Sequence, residues 1–190
     1  MTIGVLAVQG AFIEHRKILD MLGVKSIEIR NKMDLAKPFH GMILPGGEST
    51  VMGKLLSELN MIDTVRQYIA NGMPVFGTCA GMILLARSIV NSTAMHLGTM
   101  DITVLRNAYG KQIRSFNTVS TFDGKQQIPM TFIRAPYIES VGSGVEILST
   151  VNGNIVAAQQ NRQLATSFHP ELTDDTTVHQ HFLKIVEDCL

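Results

Sequence analysis

The sequence has 190 residues, 45% hydrophobic and 17% charged, with 16 basic and 16 acidic side chains. That is about one domain's length, enough to bury a core without staples, and the composition excludes a disordered chain. The zero net charge offers no basic field for a nucleic-acid backbone, and the longest apolar run, Met82 to Ala86, falls far short of the ~20 residues that span a bilayer.

Ile3 to Val8 is a continuous apolar run rich in β-branched residues and is expected to be a buried strand, ended by Gln9-Gly10. Phe12 to Leu22 reads as a helix with Ile18, Leu19 and Leu22 inward, His15, Arg16 and Lys17 more exposed, and Gly23 as its stop. Strands are expected at Ser26 to Ile29 and Gly41 to Leu44, where Pro45-Gly46-Gly47 breaks the chain. Helices follow at Ser49 to Leu59 and Ile62 to Ala70, then a strand at Pro74 to Phe76 and a helix from Ala80 to about Ile89. This alternation is the pattern of a parallel sheet covered on both faces, a flavodoxin-like three-layer α/β/α arrangement. In such sheets ligands bind beyond the carboxyl ends of the strands. The loops at Gln9-Gly10, Pro45 to Ser49 and Gly77 to Gly81 should therefore share one edge.

From Asp101 the pattern becomes β-rich and partly antiparallel. Strands are expected at Asp101 to Leu105, Asn117 to Phe122, Met130 to Arg134, Val145 to Val151, Ile155 to Gln159 and Leu164 to Phe168. Asp123-Gly124 and Asn152-Gly153-Asn154 read as hairpin turns. A last helix starts near Thr176, with Val178, Phe182, Ile185, Val186 and Cys189 on one face. No linker or repeat divides the chain, so residues 1–190 are expected to form a single domain with a mixed, mostly parallel sheet.

Gly77-Thr78-Cys79-Ala80-Gly81 has the form Gly-x-nucleophile-x-Gly between a strand and a helix. That is a nucleophile elbow with sulfur in place of oxygen. The start of the following helix should favour the thiolate. The bland reading, a small buried cysteine in a tight turn, stays open for Cys79 and is preferred for Cys189. A thiolate needs a base, and His169 in Ser167-Phe168-His169-Pro170-Glu171 is the best of six histidines. With Pro170 keeping the backbone extended, Glu171 should stand on the same side as His169 and orient its ring. Gly47 and Ala80 N–H groups could form an oxyanion hole, although Gly46-Gly47 could equally be a plain turn or a phosphate cradle. The Gly-Lys-Ser/Thr ending of a P-loop is absent, and no Cys-x-x-Cys or clustered His/Cys spacing suggests a metal.

Taken together these residues resemble a triad-type, class I glutamine amidotransferase domain. A narrower set resembles the glutaminase subunit family of pyridoxal 5'-phosphate synthase, the PdxT/SNO family. It comprises Ala7-Val8-Gln9-Gly10-Ala11-Phe12, Leu44-Pro45-Gly46-Gly47-Glu48-Ser49-Thr50, Phe76 to Gly81, Arg106-Asn107-Ala108-Tyr109-Gly110, Phe132-Ile133-Arg134-Ala135-Pro136 and Ser167 to Thr173. The resemblance runs from end to end. It implies hydrolysis of L-glutamine to glutamate and ammonia, with Cys79 as nucleophile, His169 as acid and base, and Glu171 as its orienter. It also implies glutamine binding at Gly47, Glu48, Ser49, Arg106, Ile133 and Arg134. An arginine suits the substrate α-carboxylate, though which one is left open by the sequence.

The same resemblance implies a synthase partner that receives the ammonia and activates the glutaminase on docking, in an assembly of twelve copies of each. Pyridoxal phosphate is then the product of the complex, and no cofactor is expected in this chain. With no export signal and two cysteines, a cytoplasmic location is expected. Arg114, Asn117 and Thr177 depart from the family pattern, away from the expected triad.

Overall fold

The computed structural model describes residues 1–106 and 115–190. The Asn107-Ala108-Tyr109-Gly110 block and Arg114 lie outside the described residues. The first half alternates as the sequence predicts, with one short helix, α2, added: β1 (Thr2–Leu6), α1 (Phe12–Met21), β2 (Lys25–Ile29), α2 (Lys32–Leu35), β3 (Gly41–Leu44), α3 (Ser49–Glu58), α4 (Ile62–Ala70), β4 (Val75–Thr78) and α5 (Ala80–Leu85). There follow β5 (Ala86–Ile89), β6 (Met100–Leu105), β7 (Ser115–Phe122), β8 (Gln126–Ile133), β9 (Tyr137–Val141), β10 (Glu146–Val151), β11 (Asn154–Gln160) and β12 (Gln163–Thr166). A 3-10 turn (Pro170–Leu172) and α6 (Thr177–Glu187) end the chain.

Ten strands form one sheet in the order β2-β1-β3-β4-β12-β11-β9-β6-β5, with β10 added beside β11. β2, β1, β3, β4 and β12 run parallel, while β11 pairs antiparallel with β12, β9 and β10. Successive side chains of a strand point to opposite faces, and both faces of this sheet are apolar. Met42 and Leu44 enter a core with Met52 and Leu56 of α3 and Val65 of α4. Ile43 enters the other, with Leu19 of α1 and Val178, Phe182 and Val186 of α6. The result is the expected α/β/α sandwich. β7 and β8 pair with each other as a separate antiparallel ribbon, turning at Asp123-Gly124, where both residues have positive φ. Its Phe122, Ile128, Met130 and Phe132 close the second core.

Three elements differ from the sequence expectation. The helix after Cys79 ends at Leu85, where Ala86 turns extended and the chain enters β5 beside β6. All six residues of α5 are buried, so no polar face marks its end. The strand β9 and the four-residue α2, closed by an Asn31–Asp34 capping box, are too short to show a period. His15 is not exposed but fully buried, as is His179 of α6. Their rings meet at 2.9 Å, Nδ1 of His15 to Nε2 of His179, and Phe76 stands edge-on to both. On α6, Val178, Phe182 and Val186 face inward as expected, whereas Ile185 and Cys189 are only half-buried.

Burial holds both histidines neutral: it lowers His15 well below 6.5 and His179 to about 4. The folded state therefore binds fewer protons than the unfolded one below pH 6.5, and stability falls as pH drops from 6.5 toward 4. For His179 alone the loss is on the order of 3 kcal/mol by pH 4 and below. Urea unfolding at stepped pH should show this fall, and His179→Gln should flatten it.

Candidate active site

The site is built where β4 and β12 end side by side. Their register sets Thr78 opposite Thr166, and the next residue, Cys79, donates its backbone N–H to the Thr166 carbonyl at 2.7 Å. Cys79 has φ 47° and ψ −99°, a strained conformation for a residue with a Cβ, of order 1–3 kcal/mol. The flanking glycines leave room for this turn. A Cβ at Gly77 would come within 2.6 Å of the Gly81 backbone, and one at Gly81 would collide with the Leu44 carbonyl. The strain thus sits on the cysteine and the glycines supply the space, which is the elbow that the motif predicted. Ala80 is the first residue of α5, so its N–H has no carbonyl partner within the helix.

His169 lies three residues beyond Thr166, and its backbone N–H bonds to the Thr131 carbonyl of β8 at 2.8 Å. Its Nδ1 meets Oε1 of Glu171 at 2.6 Å. The route to this contact differs from the expected extended chain. Pro170 opens the 3-10 turn, a position that its fixed φ suits, and the turn swings Glu171 beneath the ring. Cys79, His169 and Glu171 are all buried, the last two at 6% and 5% exposure. Burial disfavours the His169 cation, but hydrogen bonds to Cys79 and Glu171 and the charges of both outweigh it, raising its pKa to about 10. A proton that reaches the imidazole is therefore held firmly, with sulfur on one side and carboxylate on the other.

A cleft of about 470 Å³ opens in front of Cys79 and His169. Gly47, Glu48, Ser49, Arg106, Ile133 and Arg134 all line it, so the loops predicted to share one edge do so. Gly46 lies against the His169 ring so closely that any Cβ there would overlap it. The Gly46 carbonyl accepts from Ala11 N–H at 2.9 Å, fixing the peptide whose other end is the Gly47 N–H. Glu48 caps α3, accepting from Thr50 and Val51 N–H, and its Oε1 lies 3.5 Å from Arg106. Burial raises the Glu48 pKa, but these backbone bonds and the Arg106 charge prevail and lower it. Arg134 has φ 42° at the end of β8 and makes no ion pair among the described residues.

Gln9 was not singled out as a site residue, yet it lines the cleft and accepts the Glu48 N–H at 3.0 Å. Its place in the loop after β1, on the edge expected to bind ligands, is the available signal. Of the departures from the family pattern, Asn117 is exposed on β7 opposite Thr131. Thr177 donates its hydroxyl to Gln126, away from the cleft. Among the described residues no group of three His, Cys, Asp or Glu side chains is placed to hold a metal ion.

With this geometry in view, three comparisons bear on the chain. The sequence profile of the SNO glutamine amidotransferase family matches residues 5–188. The pyridoxal 5'-phosphate synthase subunit PdxT of Streptococcus pneumoniae (strain ATCC 700669 / Spain 23F-1) is 57% identical, covering 99% of both chains. A crystal structure of a glutamine amidotransferase superposes with a TM-score of 0.93 at 42% identity, covering 97% of this chain and 98% of that one. A glutamine amidotransferase from Thermotoga maritima shares the fold, with a TM-score of 0.65 at 13% identity over 100% of this chain and 84% of that one. On sequence and structure alike, the chain belongs to the SNO glutamine amidotransferase family.

Proposed function

We propose that this chain is the glutaminase subunit of a pyridoxal 5'-phosphate synthase, hydrolysing L-glutamine to L-glutamate and ammonia and passing the ammonia to a synthase subunit. The observation that carries the catalytic reading is a strained, buried Cys79 that shares the cleft with His169, whose Nδ1 is held by Glu171 at 2.6 Å. Cys79 gives its proton to His169, and the thiolate attacks the side-chain amide carbon. The developing oxyanion is received by the N–H groups of Gly47 and Ala80. Collapse of this intermediate breaks the C–N bond, and His169 donates its proton to the departing nitrogen, leaving ammonia and a glutamyl thioester. His169 then takes a proton from water, hydroxide adds to the thioester, and glutamate leaves as the thiol is restored.

Glu48 and the arginines face the two charged ends of the substrate. Glu48 suits the α-ammonium and is braced by Arg106. Arg134, without an ion pair among the described residues, is assigned the α-carboxylate. Ser49 and the Ile133 backbone complete the pocket wall. Ile133 and Leu172 at the cleft rim are 36% and 42% exposed, and Ile13 and Val51 in the first turns of α1 and α3 are 51% and 44% exposed. These apolar side chains support docking of the synthase there; the assembly of twelve copies of each subunit is proposed from the family resemblance alone. Pyridoxal phosphate is a product of that complex. Among the described residues no helix is long and apolar enough to cross a membrane, and a cytoplasmic site of action is proposed.

The reading is tested by glutamate release from L-glutamine, for the chain alone and mixed with the synthase subunit. Mixing should raise the rate, and Cys79→Ala should lower it by roughly a thousandfold or more without loss of fold. His169→Asn should fail likewise and Cys189→Ser should not; full turnover in Cys79→Ala would discard the triad. Arg134→Ala should raise KM for glutamine by roughly tenfold or more while kcat stays close to the parent value.

A further inference from the structure

The two buried histidines of α1 and α6 lie directly behind the triad, and glutamine hydrolysis as described above makes no use of them. We propose that His15 is a positioning residue for Glu171, held in one tautomer by His179, so that a line of hydrogen-bonding groups runs from the second core to Cys79. This inference rests on the triad reading and adds to it.

Glu171 has two carboxylate oxygens. Oε1 is taken by His169, while Oε2 is buried and no hydrogen bond of standard geometry reaches it among the described residues. His15 Nε2 stands 3.5 Å from Oε2 and 3.2 Å from the Thr78 hydroxyl, one residue before the nucleophile. His15 Nδ1 meets His179 Nε2 at 2.9 Å, and His179 Nδ1 is buried without a hydrogen-bond partner among the described residues. The charged or titratable groups that act on His15 are thus Glu171, His179 and His169.

These contacts select one arrangement of protons. Both rings are kept neutral by burial, so each carries a single N–H. A carboxylate only accepts, so the His15 proton belongs on Nε2, facing Glu171 and Thr78. His15 Nδ1 must then accept, and His179 donates from Nε2. His179 Nδ1 is left as a bare lone pair. The opposite arrangement would set two lone pairs against each other at Oε2 and bury an N–H of His179 with no acceptor, the more expensive defect. A donor held opposite Oε2 opposes rotation of the carboxylate and so keeps Oε1 on His169. Phe76 packs edge-on against both histidine rings and limits their rotation.

The test uses the complex with the synthase and compares two amides of similar size. In His15→Gln the amide nitrogen can reach the place of Nε2, whereas in His15→Asn it reaches only the place of Nδ1. His15→Gln should retain kcat within about threefold, and His15→Asn should lose roughly tenfold or more in kcat, with KM unchanged in both. Equal kcat in the two variants, whether high or low, would overturn the proposal, as would a change confined to KM. Nitrogen NMR of histidine-labelled parent protein needs no variant: it should find the protons of His15 and His179 on Nε2, and a proton on Nδ1 of His15 would overturn the assignment. Glu171→Gln separates the two layers. Full activity there would sink the triad reading itself, while a slow Glu171→Gln beside an unaffected His15→Asn would sink this inference alone.

Discussion

The hydrogen bond from the Cys79 N–H to the Thr166 carbonyl, 2.7 Å long, joins the two strands on which the site depends. It extends the parallel register of β4 and β12 by one residue, and that residue is the proposed nucleophile. Because β12 returns from the antiparallel half of the sheet, the same register brings a histidine from near the C-terminus to a cysteine in the first half of the chain. A slip of one residue would turn every side chain of β12 to the other face and carry His169 away from the sulfur. The remaining contacts refine a meeting that this pairing has already arranged.

Refinement comes from the elements around the pair. The β7–β8 ribbon holds the His169 backbone through Thr131, and Phe132 of that ribbon packs on Phe168. The loop after β1 holds the Gly46 carbonyl and, through Gln9, the Glu48 N–H. Behind the proposed triad, α1 and α6 meet through His15 and His179. Thus strain at the elbow is retained by contacts from both halves of the chain, which is how an unfavourable φ persists at a reactive residue.

Much of this was legible from residue order. Ile3 to Val8, Gly41 to Leu44 and the strand before Gly77 are continuous apolar runs because both sheet faces are buried, and that places their carboxyl-end loops together. The elbow glycines and His169-Pro170-Glu171 carried the proposed triad, although Glu171 reaches His169 through a 3-10 turn that extended-chain alternation does not describe. What escaped had physical reasons. α5 is buried all round and shows no end, and β9 is only five residues long. His15 was read by its polarity, yet His15, Ile18, Leu19 and Leu22 share one helical stripe, as do His179, Phe182, Leu183 and Val186. Spacing placed both histidines in the core; residue type concealed it.

The most direct test of the central claim is chemical trapping of the nucleophile. The complex with the synthase would be treated with a glutamine analogue bearing a diazoketone in place of the side-chain amide, and the modified peptide identified by mass spectrometry. The account predicts one adduct, on Cys79, formed in step with loss of glutaminase activity and prevented by excess glutamine. Inactivation with the label on Cys189 or elsewhere, and Cys79 unmodified, would contradict it.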